Sequence, residues 1–450
     1  MGRLFGTDGV RGVANTELSC ELALKLGRAA AMVLTEETHH RPQIIIGKDT
    51  RISSDMLEAA MTAGICSVGA NVLVLGVVPT PAVAYLVKKL GADAGVMISA
   101  SHNPAQYNGI KIFSGSGYKL SDSLEEKIEA IVLDGLEEPP IKAGDGVGRV
   151  IKPKTAIADY INYLKSTINT DLSGLRIAVD CANGSASVTA PLLFKELGAD
   201  CEIINANPDG LNINDGCGST HIEMLSEYVK GNGFDIGVAF DGDADRCLAV
   251  DEDGNLIDGD KLIAIFSASL KEKGRLKSNT AVVTVMSNLG FFKFAESHGI
   301  NAARTKVGDR YVLEEMINGG YVLGGEQSGH IIFLDHATTG DGELSALQLL
   351  AILKNSGKKA SELASIMECY PQVMVNVKVG SSNNKDIIMK AQDVADAIKK
   401  AELKLADEGR IVVRPSGTEP LIRVMVEGKD RDEITKLADD VADVIRSHVG

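Results

Sequence analysis

No Cys-x-x-Cys pair occurs among the seven cysteines (Cys20, Cys66, Cys181, Cys201, Cys217, Cys247 and Cys369), and their number is odd. That pattern suits reduced thiols in a cytosolic protein rather than a disulfide framework. Long apolar runs are missing too. The longest, Val72 to Val87, is broken by Pro79 and Pro81 and is too short to span a bilayer. No secretory signal is expected, because Gly2-Arg-Leu-Phe-Gly-Thr-Asp8 reaches an acid without an apolar segment. Gly6 stands where N-myristoylation needs Ser or Thr. Basic residues are in deficit, 46 against 61 acidic ones, for a net charge of −15. Non-specific binding to nucleic acid or to acidic membranes is therefore not expected. No short-period repeat or low-complexity segment appears. The expectation is a soluble, cytoplasmic protein.

What is present is ordinary globular material, 44% hydrophobic and 24% charged over 450 residues, enough for several domains. Short apolar runs alternate with amphipathic segments, the pattern of α/β architecture. Strands are predicted at 43–47, 71–76 and 94–99, with helices at 54–68 and 81–90 between them. The rhythm restarts with a strand at 176–180, a helix at 187–197, and strands at 201–204 and 235–240 around a helix at 221–230. After Gly259 it restarts again, with strands at 280–284, 301–305 and 321–325 and helices at 290–298 and 309–318. The tail differs: a strand at 372–379, a long helix at 385–406, two strands and a final helix. These spans predict three similar mixed-sheet α/β domains, 1–155, 156–255 and 256–369, and a smaller C-terminal α+β domain, 370–450, around a central cleft.

The chemistry is concentrated in four loops. Asp241-Gly-Asp243-Ala-Asp245-Arg246 places three carboxylates within five residues, directly after the apolar run Ile236–Phe240. Such a triplet repels itself unless a cation compensates, and oxygen-only ligands favour a hard divalent ion. An EF-hand is excluded, because Arg246 stands where the required glycine would be and Cys247 to Asp251 reads as a strand. An aspartyl-phosphate enzyme remains open, since Asp241 and Asp243 have its nucleophile spacing. The second loop is Ser99-Ala-Ser101-His102-Asn103-Pro104, with Lys111 just downstream. It offers a serine nucleophile or phosphate carrier, or simply a turn. The third, Gly324-Gly-Glu326-Gln327-Ser328-Gly329-His330, suits recognition of sugar hydroxyl or amino groups, or a plain glycine-rich turn. The fourth, Arg414-Pro-Ser416-Gly417-Thr418-Glu419-Pro420 with Arg423 beyond, suits a phosphate cradle. It lacks the Gly-Lys-Ser/Thr ending of a nucleotide P-loop. Together the four provide the parts of phosphoryl transfer to a small polar substrate.

In order along the chain these motifs, with Phe5-Gly-Thr-Asp-Gly-Val-Arg11-Gly12, Gly47-Lys-Asp-Thr-Arg51, Asn212 to His221 and Thr305 to Arg310, resemble the α-D-phosphohexomutase superfamily. The opening motif and the Glu-Gln-Ser-Gly loop are most similar to its glucosamine branch. The resemblance covers the whole chain. It implies an isomerase interconverting glucosamine 6-phosphate and glucosamine 1-phosphate through phosphorylated Ser101 and a glucosamine 1,6-bisphosphate intermediate, feeding UDP-N-acetylglucosamine synthesis. Phosphoglucomutase or phosphomannomutase activity is the alternative within the same superfamily. By the same resemblance Asp241, Asp243, Asp245 and phosphorylated Ser101 would hold one Mg²⁺, and Glu326 and Ser328 would read the sugar. Arg414, Ser416, Gly417, Thr418 and Arg423 would hold the non-reacting phosphate. Arg11, Lys111, Arg246 and His330 would assist charge neutralisation and proton transfer, with Lys111 preferred as general acid/base. The small departures are Ser54 and Glu343, where relatives usually have Gly and an aliphatic residue. A homodimer is left open.

Overall fold

The computed structural model describes residues 3–6, 8–36, 38–137, 139–380, 382–416 and 420–449. It contains four sheets, of six, five, four and three strands, in chain order. In the first, Gln43–Lys48 lies between Asn71–Val77 and Ala94–Ile98, all parallel. Tyr107–Ser114 then runs antiparallel to Ala94–Ile98, and Val10–Val13 closes that edge. The run Ile44-Ile45-Ile46 explains why both faces are covered. Ile44 and Ile46 join one apolar cluster and Ile45 another, as the two-residue period of a strand requires.

The second and third sheets repeat this plan. Arg176–Asp180 is parallel to Asp200–Ile204 and Ile236–Phe240, and Cys247–Asp251 runs antiparallel to the latter. Thr280–Thr284 is parallel to Asn301–Thr305 and Leu323–Gly325, with Ile331–Phe333 antiparallel beside the last. In each unit one loop joins a parallel strand to its antiparallel neighbour. Those three loops carry Ser101, the Asp triplet and Glu326. In the fourth sheet the loop between Gly409–Pro415 and Leu421–Gly428 joins antiparallel neighbours in the same way.

One apolar core runs through the first three units, including Val83 and Leu86, Ile177 and Phe194, and Phe266 and Phe291. The fourth has its own, built from Val377, Ile422, Val424 and the inner face of helix Arg431–Ser447. It meets the third unit through Glu427. This fully buried carboxylate accepts from Leu289 N (3.0 Å) and Asn288 Nδ2 (3.3 Å) of the third unit and from Arg410 Nε of its own.

Two expected helices are each broken. The helix expected at 385–406 is two, Ser382–Met389 and Gln392–Leu405. Ile388 and Val394 are both buried in the fourth core. An unbroken helix would set them about 120° apart around its axis, and the extended Ala391 turns both inward. The helix expected at 187–197 is a 3₁₀ turn, Ser185–Val188, followed by Ala190–Glu196. Pro191 has no N–H to continue the earlier turn, so it opens a new helix instead. Among the described residues no helix is long and apolar enough to cross a membrane.

Candidate active site

Ser101 follows strand Ala94–Ile98 and sits in the left-handed backbone region, with φ of 51°. Its side chain is buried, and Oγ donates to Asp241 Oδ2 at 2.6 Å, although 140 residues separate the two. The Asp loop reaches the serine loop because Gly242 has no side chain. A Cβ there would lie 2.6 Å from the Ser101 carbonyl oxygen.

Ligand oxygens of Asp241, Asp243 and Asp245 lie within 4.8 Å of one another, and all three residues are buried. Asp243 Oδ2 accepts from Thr80 Oγ1 (2.6 Å) and Lys111 Nζ (2.8 Å). Its Oδ1, like Oδ1 of Asp245, has no hydrogen-bond partner among the described residues. Burial, followed by the charges of Asp245 and Asp243, pushes Asp241 well above the usual carboxylate range. Burial works the same way on Asp245, but Lys111 and His330 overcome it and hold this carboxyl well below that range. Orphaned, converging, buried carboxylate oxygens fit a hard divalent cation.

Six acidic and basic side chains from all three larger units form a closed ring beside this cluster. Lys111 Nζ is 3.0 Å from Asp8 and 3.4 Å from Asp245. His330 is 3.6 Å from Asp245 and 3.7 Å from Asp309. Lys119 bridges Asp309 to Asp8, completing the ring. Arg11 also pairs with Asp8. Burial would lower Lys111, but Asp243, Asp8 and Asp245 raise it well above its ordinary value. His330 is likewise raised by Asp245 and Asp309 against burial. Even so, the Gly340 N–H donates to its Nε2 at 3.1 Å. That backbone bond assigns the Nδ1–H tautomer, with the ring proton directed to Asp245.

The cleft bordered by Asp8, Arg11, His102, Asp245, Arg246, Glu326 and His330 encloses about 430 Å³. Burial, Arg246 and Arg11 push His102 down to about 4, so this ring is neutral near pH 7. Glu326 Oε1 accepts from Gly308 N at 3.0 Å, tying the sugar-type loop to the Gly308-Asp309-Arg310 turn. Ser328 lies in the same turn and is half-buried. Gln327 points elsewhere, with Nε2 3.3 Å from Asp258. From the fourth unit, Arg414 and Arg423 stand opposite one another on paired strands. Burial and Arg423 lower Arg414, and Glu326 raises it. Ser416 is buried, and its carbonyl accepts from Lys385 Nζ at 2.7 Å. Gly417 and Thr418 lie outside the described residues.

Several participants carry no sequence signal of their own. Lys119 belongs to no motif. Thr80 stands between two prolines, and Asp8 and Arg51 stand out only as members of motifs. Ser54 and Glu343 are both buried. Ser54 Oγ donates to Asp49 (3.0 Å), and Glu343 accepts from Thr189 Oγ1 (2.7 Å).

Four family models match the chain in order: phosphoglucomutase/phosphomannomutase alpha/beta/alpha domains I, II and III at residues 2–138, 158–254 and 258–370, and the C-terminal domain at 374–444. The chain belongs to the phosphoglucomutase/phosphomannomutase family. It is a mutase, and so an isomerase by reaction class. It is 59% identical over 450 residues to the phosphoglucosamine mutase of Acetivibrio thermocellus, covering 100% of both chains. To that of Clostridium novyi it is 59% identical over 445 residues, covering 99% of each. Among solved structures, a phosphoglucomutase/phosphomannomutase family protein from Burkholderia thailandensis shares the fold with a TM-score of 0.83 at 23% identity, over 99% of this chain and 97% of that one. The N-acetylphosphoglucosamine mutase of Aspergillus fumigatus, in complex with GlcNAc-6P and magnesium, gives 0.73 at 19% identity over 99% and 96%.

Proposed function

We propose that the chain interconverts glucosamine 6-phosphate and glucosamine 1-phosphate by passing a phosphoryl group through Ser101. The observation that carries this reading is the 2.6 Å contact of Ser101 Oγ with Asp241, inside a cluster of orphaned carboxylate oxygens. The full-length likeness to phosphoglucosamine mutases supports the choice of sugar.

Phosphorylated Ser101 gives its phosphoryl group to the free sugar hydroxyl. The serine P–O bond breaks, a sugar P–O bond forms, and the hydroxyl proton leaves to a base. The resulting glucosamine 1,6-bisphosphate turns round and returns its other phosphoryl group to Ser101. One Mg²⁺ held by Asp241, Asp243, Asp245 and a phosphoserine oxygen would supply charge neutralisation at the transferring group. Arg11 and Arg246 add cationic charge at the cleft wall. Lys111, kept as an ammonium by Asp243, Asp8 and Asp245, gives a proton to the departing Ser101 oxygen and is reprotonated from the sugar hydroxyl, in preference to His330, whose Nε2 lone pair is taken by the Gly340 N–H. Glu326 and Ser328 read the sugar, and Glu326 is held ready by the Gly308 amide. Arg414, Ser416, Arg423 and the adjoining Gly417 and Thr418 grip the idle phosphate. The work thus divides among the units, with phosphoserine in 1–155, metal in 156–255, sugar in 256–369 and phosphate in 370–450. Seven free cysteines fit a cytoplasmic setting.

The test compares turnover of glucosamine, glucose and mannose 1-phosphates with Mg²⁺ and a trace of bisphosphate, alongside peptide mapping of the phosphoenzyme. Preference for glucosamine with phosphate on Ser101 is expected. Preference for glucose or mannose sinks the sugar assignment, and phosphate retained in Ser101→Ala but lost in Asp241→Asn sinks the serine mechanism.

A further inference from the structure

The motif Gly47-Lys-Asp49-Thr-Arg51 has no part in the reaction as described. Two of its charged residues form an ion pair with no exposed side-chain surface, Arg51 Nε to Asp49 Oδ2 at 2.9 Å. A buried pair is costly to desolvate and is no more stabilising than an apolar pair of similar volume, so its partners indicate its use.

Arg51 spends its remaining donors on the serine loop. Nη2 donates to the carbonyls of Ser101 (2.9 Å) and Asn103 (2.8 Å), and Nη1 to that of Pro104 (2.6 Å). Asp49 works from the other side. Its Oδ2 accepts from Ser99 Oγ at 2.6 Å, and that same Oγ accepts the N–H of Ser101 at 2.9 Å. Both peptide groups of Ser101 are therefore tied to one ion pair, the carbonyl directly and the N–H through Ser99. A second tie comes from the next unit, where Asn214 Nδ2 donates to the Ser101 carbonyl at 2.9 Å.

The strain at Ser101 gives these ties a purpose. A serine at φ of 51° persists only where its surroundings over-determine it. That conformation is the one that directs Oγ at Asp241. We infer that the buried Asp49–Arg51 pair is the positioning device that aims Ser101 Oγ at the metal cluster, an inference that rests on the proposed phosphoryl transfer through that serine. The oxygen has to present itself twice per turnover, first as leaving group and then as nucleophile. Arg51 touches neither reacting atoms nor substrate. It is a positioning residue.

Arg51→Lys keeps the charge and loses the planar fork, so it satisfies Asp49 without spanning three carbonyls. Because a misplacement of about 1 Å costs on the order of 100-fold, kcat is expected to fall about 10- to 100-fold. KM for glucosamine 1-phosphate is expected to stay within about threefold, since Arg51 contacts none of the sugar- or phosphate-binding residues. Should Arg51→Lys fail to fold, Ser99→Ala and Asn214→Ala leave the ion pair's charges in place and carry the test. Each is expected to lower kcat several-fold with KM and melting temperature near those of the unmodified protein. Folded variants with unmodified kcat, or with losses confined to KM, overturn the positioning role alone. An unmodified protein that never phosphorylates Ser101 overturns the phosphoryl-transfer reading and this inference with it.

Discussion

Thr80 Oγ1 donates to Asp243 Oδ2 at 2.6 Å across the boundary between the first two units. The Thr80 N–H also holds the Asp243 main-chain carbonyl, at 2.9 Å. The hydroxyl occupies the oxygen that faces away from the orphaned Oδ1 and so fixes the rotation of the carboxylate. Thr80→Val keeps the shape and the backbone bond and removes only the hydroxyl. Such outer partners typically contribute 10- to 100-fold in metal affinity, and a loss of about 10-fold for Mg²⁺ or Mn²⁺ is expected. Titration calorimetry checks it, and unchanged affinity would refute the orienting role.

Lys119 is the cation shared by Asp8 and Asp309. Lys119→Met leaves two facing carboxylates without it. The lysine side chain is 18% exposed, so screening reduces the cost to about 1–3 kcal/mol. Adding Asp309→Asn is expected to recover part of that loss. Denaturant melts of the single and double variants measure both effects, and strict additivity would show that the two residues do not interact.

Glu427 joins the third and fourth units. Glu427→Ala leaves the partly exposed Arg410 without its counter-ion and the Leu289 N–H without its acceptor. A destabilisation of about 1–3 kcal/mol is expected, confined to the fourth unit because that unit has its own core. Calorimetry should show one transition moving down while the larger one stays, and small-angle scattering should show an opened particle. A uniform downward shift of both transitions would contradict the separation.

Asp260 is pushed up to about 8 by burial and by Asp258. Its unfolded value is 3.8, so the unfolded chain releases this proton first as pH rises. The stability it contributes is complete below about pH 4 and lost progressively up to about pH 8. Asp341, raised to about 7 by burial, acts in the same direction. The melting temperature is expected to fall between pH 6 and 9, and less steeply in Asp260→Asn, which mimics the protonated form. Identical slopes in the two proteins would exclude Asp260 as a source.

Strands Arg176–Asp180 and Thr280–Thr284 lie where the alternation of apolar and amphipathic segments puts them. Buried parallel strands have apolar runs with polar ends, and that signal is local. The break at Ala391 is not local, because it depends on which faces of two short helices meet the fourth core. The same limit applies to the site. The Asp triplet announces itself by repulsion between near neighbours. Lys119, by contrast, gains meaning only from Asp8 and Asp309, 111 and 190 residues away. Arg51 is similar: apart from Asp49, its partners are backbone carbonyls, which carry no side-chain signature.

The core shared by the first three units has a kinetic consequence. Ser101, the Asp triplet and Glu326 stand on one continuous apolar body, so their separations are as stiff as distances within a single domain. The fourth unit alone contributes nothing to that shared core, and it meets the third through a small polar pivot. For the proposed reaction, a single opening rate then governs both how freely the bisphosphate turns and how often it escapes. Speed and retention oppose one another through that one motion, and Glu427 sits at its fulcrum.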